Sequence, residues 1–353
     1  MKFILAIDSF KGCLSSAEAE KNIADVLIAK GHKVSSFPMS DGGDGMLGAF
    51  AAAAGARIEN MRAHDPLMRL VDCQYAISPD GTAIIETAQA CGLCRLKPEE
   101  RNPLVATTYG VGEIVAHALL NGCKKFVIGL GGSGTSDAGV GMIRGLMDRL
   151  ANGGRFEDVR MGRLADCSFV LASDVRNPLC GPQGAAAVFG PQKGADGKMV
   201  GALDLRARRF AEASARHFGM DKSNEPGAGA AGGLGYAFME YMGATVRPGA
   251  DMLLEMLGFD SAIADADVIV TGEGRADRQT LMGKLPERVL RVAQKVGVPV
   301  WFVAGRVENA DSLRAAGFAR VDCITPDGLD LAEAVRSDVA IANLQAWAFA
   351  VNS

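Results

Sequence analysis

Short apolar runs and longer amphipathic stretches alternate at both ends of the chain. Phe3–Ile7 is an unbroken apolar run, which is typical of a strand buried on both faces of a parallel sheet. A capping box formed by Ser15 and Glu18 predicts a helix that continues to about Ala29, and a strand is predicted over Lys33–Phe37. This strand–helix–strand order predicts a βαβ unit.

The last third of the chain repeats the alternation. Its apolar runs predict three strands, over Asp267–Thr271, Val298–Ala304 and Arg320–Thr325. Its amphipathic stretches predict three helices, over Leu285–Val296, Asp311–Ala316 and Leu329–Ala348. Strands that alternate with helices of this length indicate a parallel sheet.

The middle of the chain, roughly residues 60 to 264, is less regular. It contains a hairpin pattern over Cys73–Ala76 and Ala83–Glu86, and further strands over Phe126–Leu130 and Phe169–Ala172. We therefore expect one α/β domain that is split in sequence, over 1–60 and 265–353, with a second α/β domain inserted over 61–264. The strand over 126–130 is compatible with either domain.

Composition and charge narrow the class of protein. The 353 residues are 48% hydrophobic and 22% charged with a net charge of −4, which is ordinary for a globular protein and unlike one built to bind nucleic acid or a membrane surface. Asp8 interrupts the N-terminal apolar run too early for a signal peptide, and no apolar stretch is long enough for a membrane span. A cytoplasmic location is expected. The 44 glycines beside only 13 prolines predict many special backbone positions.

Charged and polar residues follow three of the predicted strands. In open parallel sheets, ligands bind beyond the carboxyl ends of the strands, so these residues are candidates for one site. A helix N-cap is the favoured explanation for Ser9 taken alone. The convergence of acids, cations and an amide nevertheless predicts a site for anions, formed by Asp8, Ser9, Lys11, Asp41, Glu273, Arg275, Asp277, Gln279 and Lys284.

A glycine-rich segment, Gly129–Gly134, matches the G-x-G-x-x-G pattern between a predicted strand and a predicted helix. Backbone N–H groups at such a turn bind phosphate oxygens, so the pattern predicts a phosphate cradle made by Gly131, Gly132, Ser133 and Gly134. Tight packing of helix on strand is the alternative explanation, since Gly227–Gly232 matches the same pattern without a preceding strand.

Further candidates flank this segment. Carboxylates beside bound phosphates commonly hold Mg²⁺, and Asp137 and Asp174 are the candidates for that role. Lys193 offers a cation on another glycine-rich loop. Cradles, cations and carboxylates together predict a phosphotransferase that acts on a small acidic substrate.

Seven segments of the chain resemble the bacterial class I glycerate kinases, in the order found in that family. They extend over nearly the whole length: DSFKGCLSS (Asp8–Ser16), SDGGDG (Ser40–Gly45), TTYGVGE (Thr107–Glu113), GLGGSGTSDAGVGM (Gly129–Met142), NPLCGPQGAAAVFGPQKGA (Asn177–Ala195), PGAGAAGGLG (Pro226–Gly235) and TGEGRADRQTLMGK (Thr271–Lys284).

The resemblance implies a fold, a reaction and a set of roles. The fold is a flavodoxin-like, doubly wound parallel sheet with a second, restriction-endonuclease-like α/β domain inserted into it. The reaction is ATP-dependent phosphorylation of D-glycerate, typically to 2-phosphoglycerate, by direct in-line transfer with ATP and Mg²⁺. In that reaction we expect catalysis from Asp8, Lys11, Asp41 and Asp277, and binding of substrate or phosphate by Ser9, Lys193, Glu273, Arg275, Gln279 and Lys284.

Other functions remain open at the level of sequence. A kinase for a related acid, such as hydroxypyruvate or tartronate, would differ only in its pocket. A dinucleotide-dependent oxidoreductase would use the Gly129–Gly134 pattern, and a non-catalytic sensor would bind the acid without turning it over. The expected partners are small molecules, with neither nucleic acid nor membrane among them, and the sequence does not predict the oligomeric state.

Overall fold

The structure is a computed structural model that describes residues 1–351 except 11, 41, 44, 152 and 327, and that omits the side chain of Gln279. The chain forms two compact units. The first consists of Met1–Asp41 and Ala250–Ser353, and the second of Gly42–Gly249.

The described residues form eleven strands. In chain order these are β1 (Lys2–Ile7), β2 (Lys33–Ser36), β3 (Arg57–His64), β4 (Leu70–Ile77), β5 (Thr82–Glu86), β6 (Lys125–Gly129), β7 (Ser168–Ala172), β8 (Thr245–Arg247), β9 (Val268–Ala276), β10 (Val300–Val307) and β11 (Arg320–Cys323).

The described part of the chain also forms fifteen α-helices. They are α1 (Ser16–Ala29), α2 (Met46–Ala54), α3 (Ala88–Cys91), α4 (Tyr109–Leu120), α5 (Val140–Leu150), α6 (Phe156–Gly162), α7 (Ala185–Phe189), α8 (Gly197–Phe218), α9 (Ala230–Met242), α10 (Gly249–Met256), α11 (Phe259–Ala262), α12 (Leu285–Val296), α13 (Ala310–Ala316), α14 (Leu331–Ala334) and α15 (Ser337–Ala350). Short 3₁₀ turns lie at Leu93–Arg95, Pro98–Glu100, Pro191–Lys193 and Arg278–Leu281. No helix of the described residues is both long enough and apolar enough to cross a membrane.

The first unit is built on a parallel sheet with the strand order β2-β1-β9-β10-β11. Numbered within the unit, this order is 2-1-3-4-5, the flavodoxin-like arrangement. It confirms the predicted doubly wound sheet. The predicted first helix is confirmed as well, because α1 begins after a complete capping box between Ser15 and Glu18.

The core of the first unit forms where α1 and α15 pack on the sheet. Phe3, Leu5 and Ile7 alternate along β1 and are fully buried, and Leu27 of α1 and Leu344 of α15 complete the cluster. Apolar residues at all five positions from Phe3 to Ile7 therefore bury both faces of the central strand, as the unbroken run in the sequence predicts.

Strand β9 is longer than its apolar run. The prediction ended the strand at Thr271, but pairing with β10 continues through Ala304–Glu273 and Arg306–Arg275 to Val307–Ala276. The close approach explains the glycine in this stretch, because a Cβ on Gly272 would lie 1.9 Å from the carbonyl oxygen of Val303. Charged residues predicted to lie on a loop thus extend from a rigid strand.

The prediction of one continuous helix over Leu329–Ala348 is wrong, because this segment forms two helices, α14 and α15. Asp330 caps α14 through the N–H of Ala332, and Arg336 then takes an extended conformation (φ −70°, ψ 134°) before α15 begins. Both helices contribute residues to the cavity described below.

The second unit contains a mixed sheet of order β3-β4-β5-β6-β7-β8. Strands β3, β4 and β5 are antiparallel, which confirms the predicted hairpin, and β5 to β8 are parallel. Phe126 on β6 stacks on Phe169 on β7 with ring centroids 4.5 Å apart, inside a core of its own.

Helix α2 belongs to this second unit. The backbone N–H of Leu47 donates to the carboxylate of Glu86 at the end of β5, with an N–O distance of 2.9 Å. Because α2 packs there, the compact units divide the chain after residues 41 and 249, whereas the sequence suggests limits near 60 and 264. The domain limits stay a prediction, and β6 lies in the sheet of the second unit.

Candidate active site

A cavity of about 660 Å³ lies in the first unit at the carboxyl ends of β1, β9, β10 and β11. This is the edge at which parallel sheets bind ligands. The cavity brings together residues that are far apart in sequence. Six of the predicted site residues line it: Asp8, Ser9, Glu273, Arg275, Asp277 and Lys284.

Glu273 is a carboxylate of the cavity that is held through both of its oxygens. Glu273 is only 6% exposed, and its Oε1 accepts a hydrogen bond of 2.6 Å from the hydroxyl of the buried Thr280. Its Oε2 lies 3.2 Å from the ammonium of Lys284, which precedes α12. Sequence reasoning missed Thr280, although it lies within the TGEGRADRQTLMGK segment. The pair fixes the position of the lysine at the cavity wall.

Asp8 directly follows β1 and is 5% exposed. Its Oδ1 accepts the N–H of Ser9 at 2.7 Å, and its own N–H donates to the carbonyl of Gly272 at 2.9 Å. The backbone bond ties the end of β1 to β9. Asp8 is therefore a buried carboxylate on a rigid support, which suits a group that must orient a substrate hydroxyl.

Arg275 lies near the end of β9, and its guanidinium is a cation of the cavity wall. Its guanidinium contacts Glu308 at 2.5 Å, and Arg306 reaches the same carboxylate at 3.9 Å. Two cations thus share one acid that sequence reasoning missed. Because Arg275 is exposed and a surface ion pair contributes about 0–1 kcal/mol, an incoming anion can replace Glu308 as its partner.

Glu20 is a second acid that sequence reasoning missed, and unlike Glu308 it is buried. It lies on α1 with no exposure, and its Oε1 accepts the backbone N–H of Ile7 at 2.9 Å, next to Asp8. Burial raises the pKa of Glu20 well above its ordinary value, although backbone N–H donors act in the opposite direction. The sole indication in the sequence that Glu20 would be buried is its position on the apolar face of the predicted helix α1.

Three of the predicted residues cannot be placed. Lys11 and Asp41 lie outside the described residues, and so does the side chain of Gln279. The backbone of Gln279 lies in the 3₁₀ turn Arg278–Leu281, next to Asp277. Their predicted roles stay predictions.

The glycine-rich loop after β6 lies in the second unit. The N–H of Gly131 donates to the carbonyl of Gly42 at 3.1 Å, and the N–H of Gly134 donates to that of Cys91 at 2.8 Å. A Cβ on Gly131 would lie 2.2 Å from the Cα of Gly43. Close packing of backbone on backbone therefore accounts for Gly131. The predicted role of Gly131, Gly132, Ser133 and Gly134 in phosphate binding stays a prediction.

Lys193 holds this glycine-rich loop through two hydrogen bonds. It is 2% exposed, and its ammonium donates to the hydroxyl of Ser133 at 2.9 Å and to the carbonyl of Thr135 at 2.7 Å. Burial lowers the pKa of Lys193 to about 8, against the opposing influence of Cys91 and Asp137. The lysine that was predicted to bind phosphate is thus engaged in holding the loop.

Asp137 caps α5 rather than presenting free oxygens. Its carboxylate accepts the N–H groups of Thr108, Gly139 and Gly141 at 2.9 to 3.1 Å, as well as threonine hydroxyls. Such bonds leave little capacity for Mg²⁺. Asp174 follows β7, and within the described residues no cluster of three or more His, Cys, Asp or Glu could hold a metal ion.

Comparison with known proteins identifies the family of this chain. The model of the glycerate kinase family matches residues 3–351. The glycerate kinase of Bacillus subtilis (strain 168) is 38% identical over 354 residues, covering 95% of this chain and 93% of that protein. The glycerate 2-kinase of Escherichia coli (strain K12) is 38% identical over 328 residues, covering 88% and 86%.

A solved structure agrees in fold. A crystal structure described as a glycerate kinase 2 from Salmonella typhimurium LT2 superposes with a TM-score of 0.78 at 35% identity, covering 99% of this chain and 96% of that one. The match along the whole length supports both α/β units. The chain therefore belongs to the glycerate kinase family and is a phosphotransferase.

Proposed function

We propose that this protein phosphorylates D-glycerate with ATP as the donor and forms 2-phosphoglycerate. The observation that carries the proposal is the cavity at the carboxyl edge of the first sheet, in which buried acids lie beside cations. The E. coli relative, a glycerate 2-kinase, supports the choice of product. The cytoplasmic location stays a prediction.

Asp8 is the proposed group that orients or deprotonates the attacking hydroxyl of glycerate. Asp41, outside the described residues, is the equal candidate, and Asp277 is the next. Phosphoryl transfer depends mainly on positioning and on neutralisation of charge. Lys284, held by Glu273, and Arg275 would neutralise the glycerate carboxylate or the transferred phosphoryl group. Ser9 lies in the same wall, and Lys11, Asp41 and Gln279 complete the proposed set.

Mg²⁺ fits the cavity better than it fits Asp137. The ion needs only one or two carboxylates, because phosphate oxygens and water complete its shell. Asp277 lines the cavity and is the proposed ligand, while Asp8 keeps its proposed role toward the glycerate hydroxyl. When bound, the ion would neutralise the charge of the phosphates.

The test is a Mg²⁺–ATP assay against D-glycerate, with hydroxypyruvate and tartronate as alternative acceptors and NMR identification of the product. Formation of 2-phosphoglycerate is expected. Formation of 3-phosphoglycerate would contradict the regiochemistry alone, and faster turnover of another acid would contradict the substrate. Consumption of a nicotinamide cofactor without ATP would contradict the reaction class.

Asp8→Asn is expected to lower kcat by roughly 10²- to 10⁴-fold, because the amide cannot accept the hydroxyl proton. The amide oxygen can still accept the N–H of Ser9, so the fold is preserved. Asp311→Asn is the matched control, since Asp311 is fully exposed on α13. Steady-state kinetics that gave both variants the same kcat would remove Asp8 from the proposed role.

A further inference from the structure

The cavity of the first unit has two halves of different chemistry. The acids and cations described above form one half. The other part, called the apolar half, is formed by the ends of β10 and β11 and by the segment that leads into α14 and α15. Its described lining is mainly apolar, although Arg306 and Thr325 also contribute. It is lined by Phe10, Val307, Ile324, Pro326, Leu329 and Val335.

The volume exceeds what the acid substrate requires. About 660 Å³ corresponds to about twenty water molecules at ~30 Å³ each, and it lies within the range of pockets that hold drug-sized ligands. Glycerate has three carbons and is polar at every one of them. It can occupy the polar half but makes no use of an apolar half.

A single amide lies within the apolar half. Asn343 of α15 lines the cavity, and its Nδ2 is buried and makes no hydrogen bond to any residue that the structure describes. A buried polar group without a partner is unfavourable, so this amide favours a ligand that satisfies it. The edge of an adenine ring offers an adjacent donor and acceptor, which an asparagine amide can match.

From these features we infer that the apolar half of the cavity binds the purine base of the nucleotide, with the phosphates directed toward Lys284 and Arg275. The inference rests on the proposed use of ATP. It assigns recognition of the base to the first unit: apolar side chains would contact the faces of the ring, and the amide of Asn343 would contact its edge. The glycine-rich loop of the second unit has no part in holding the base.

The first experiment fills the apolar half. Ala334 lines the cavity from α14, whereas Ala332 on the same helix is exposed and is not among the lining residues. Ala334→Trp is expected to weaken ADP binding by about tenfold or more in titration calorimetry, because the indole occupies the space of the base. Ala332→Trp, the matched control, should bind ADP within about twofold of wild type, and circular dichroism checks that both variants fold.

The Michaelis constant for D-glycerate separates the two halves. It should remain within about twofold of wild type in Ala334→Trp while the constant for ATP rises. Unchanged ADP binding in a folded Ala334→Trp protein overturns the inference. A rise confined to the constant for glycerate also overturns it, because the acid would then occupy the apolar half.

The second experiment needs no variant. Irradiation of the wild-type protein with 2-azido-ATP, followed by peptide mass spectrometry, should place the label between residues 323 and 343. A label that excess ATP prevents but that maps to residues 129–135 overturns the inference. The proposed function is judged separately: wild-type protein that is labelled at 323–343 but fails to phosphorylate D-glycerate contradicts the function and supports the base site.

Discussion

At the scale of single residues, several titratable side chains are buried and engaged in shaping the backbone. Lys193 holds the glycine-rich loop through Ser133 and Thr135, and Glu20 holds the end of β1 through Ile7. Burial lowers the pKa of the lysine and raises that of the acid, because each environment disfavours the charged form. Such groups make the stability depend on pH.

Lys193→Met tests this for the lysine. The pKa of Lys193 is lowered from 10.5 to about 8 in the folded protein, so between these values the unfolded chain binds a proton that the folded chain lacks. The free energy of unfolding of wild type therefore rises with pH in this window. We expect the wild-type advantage over Lys193→Met to grow by about 1–2 kcal/mol between about pH 8 and about pH 9.5.

Denaturant titrations at several pH values measure that difference. Lys198→Met is the matched control, since Lys198 is exposed at the start of α8 and should show no such growth. A wild-type advantage over Lys193→Met that stays constant with pH would mean that Lys193 remains charged throughout the window.

At the scale of elements, glycines permit close packing of backbone on backbone. A Cβ on Gly112 of α4 would lie 2.1 Å from the carbonyl oxygen of Met142 and 2.6 Å from the N of Leu146, both on α5. A Cβ on Gly145 would lie 2.2 Å from the carbonyl oxygen of Tyr109. The two helices are therefore in contact through their main chains, and neither can accept a side chain at these points.

Gly112→Ala is expected to lower the free energy of unfolding by about 1–3 kcal/mol or more, because the added methyl group meets backbone atoms that cannot move independently. Gly201→Ala is the matched control: it lies in α8 with nothing within 4 Å of its Cβ position and should raise stability by about 0.5–1 kcal/mol. Equal changes in the free energy of unfolding, measured by chemical denaturation, would show that α4 and α5 can move apart at little cost in free energy.

At the scale of the whole molecule, the chain builds one unit from two segments and the other from one. The second unit, Gly42–Gly249, is continuous and has its own mixed sheet and buried core. The first needs strands from both ends of the chain, since β1 pairs with β9. Long-range pairing in the first unit therefore depends on the chain returning after the second.

A fragment of residues 42–249 is expected to unfold cooperatively on its own, because its core residues all come from that segment. Near-ultraviolet circular dichroism and thermal melting of the purified fragment measure this. A fragment without fixed tertiary signal or a cooperative melt would show that the second unit requires the first in order to fold.

The regular elements of the first unit could be predicted because their signals are local. An unbroken apolar run marks β1, and a capping box marks the start of α1. The extension of β9 to Ala276 could not be predicted, since the partner residues on β10 supply the hydrogen bonds that offset its glycines and charges. The break between α14 and α15 likewise depends on local capping that periodicity does not reveal.

The candidate site was likewise predictable in part from the sequence. Acids and cations after strands predicted that Asp8, Glu273 and Lys284 would meet, and the cavity brings them together. Nothing in the pattern distinguished the capping role of Asp137 from metal binding, because both require an aspartate before a helix. Similarly, a glycine beside a phosphate and a glycine beside another backbone have the same sequence signature.

By itself, the sequence determined the class of the fold, the family and the edge of the sheet on which the charged residues gather, because these follow from apolar periodicity and from motifs read in order. Only the tertiary structure decided which charged groups are available and which are engaged. Thr280 entered the site through its hydrogen bond to Glu273, and Glu308 and Asn343 entered through the folding of distant parts of the chain. Burial and hydrogen bonding, which set the chemistry of a side chain, depend on neighbours that only the folded chain supplies.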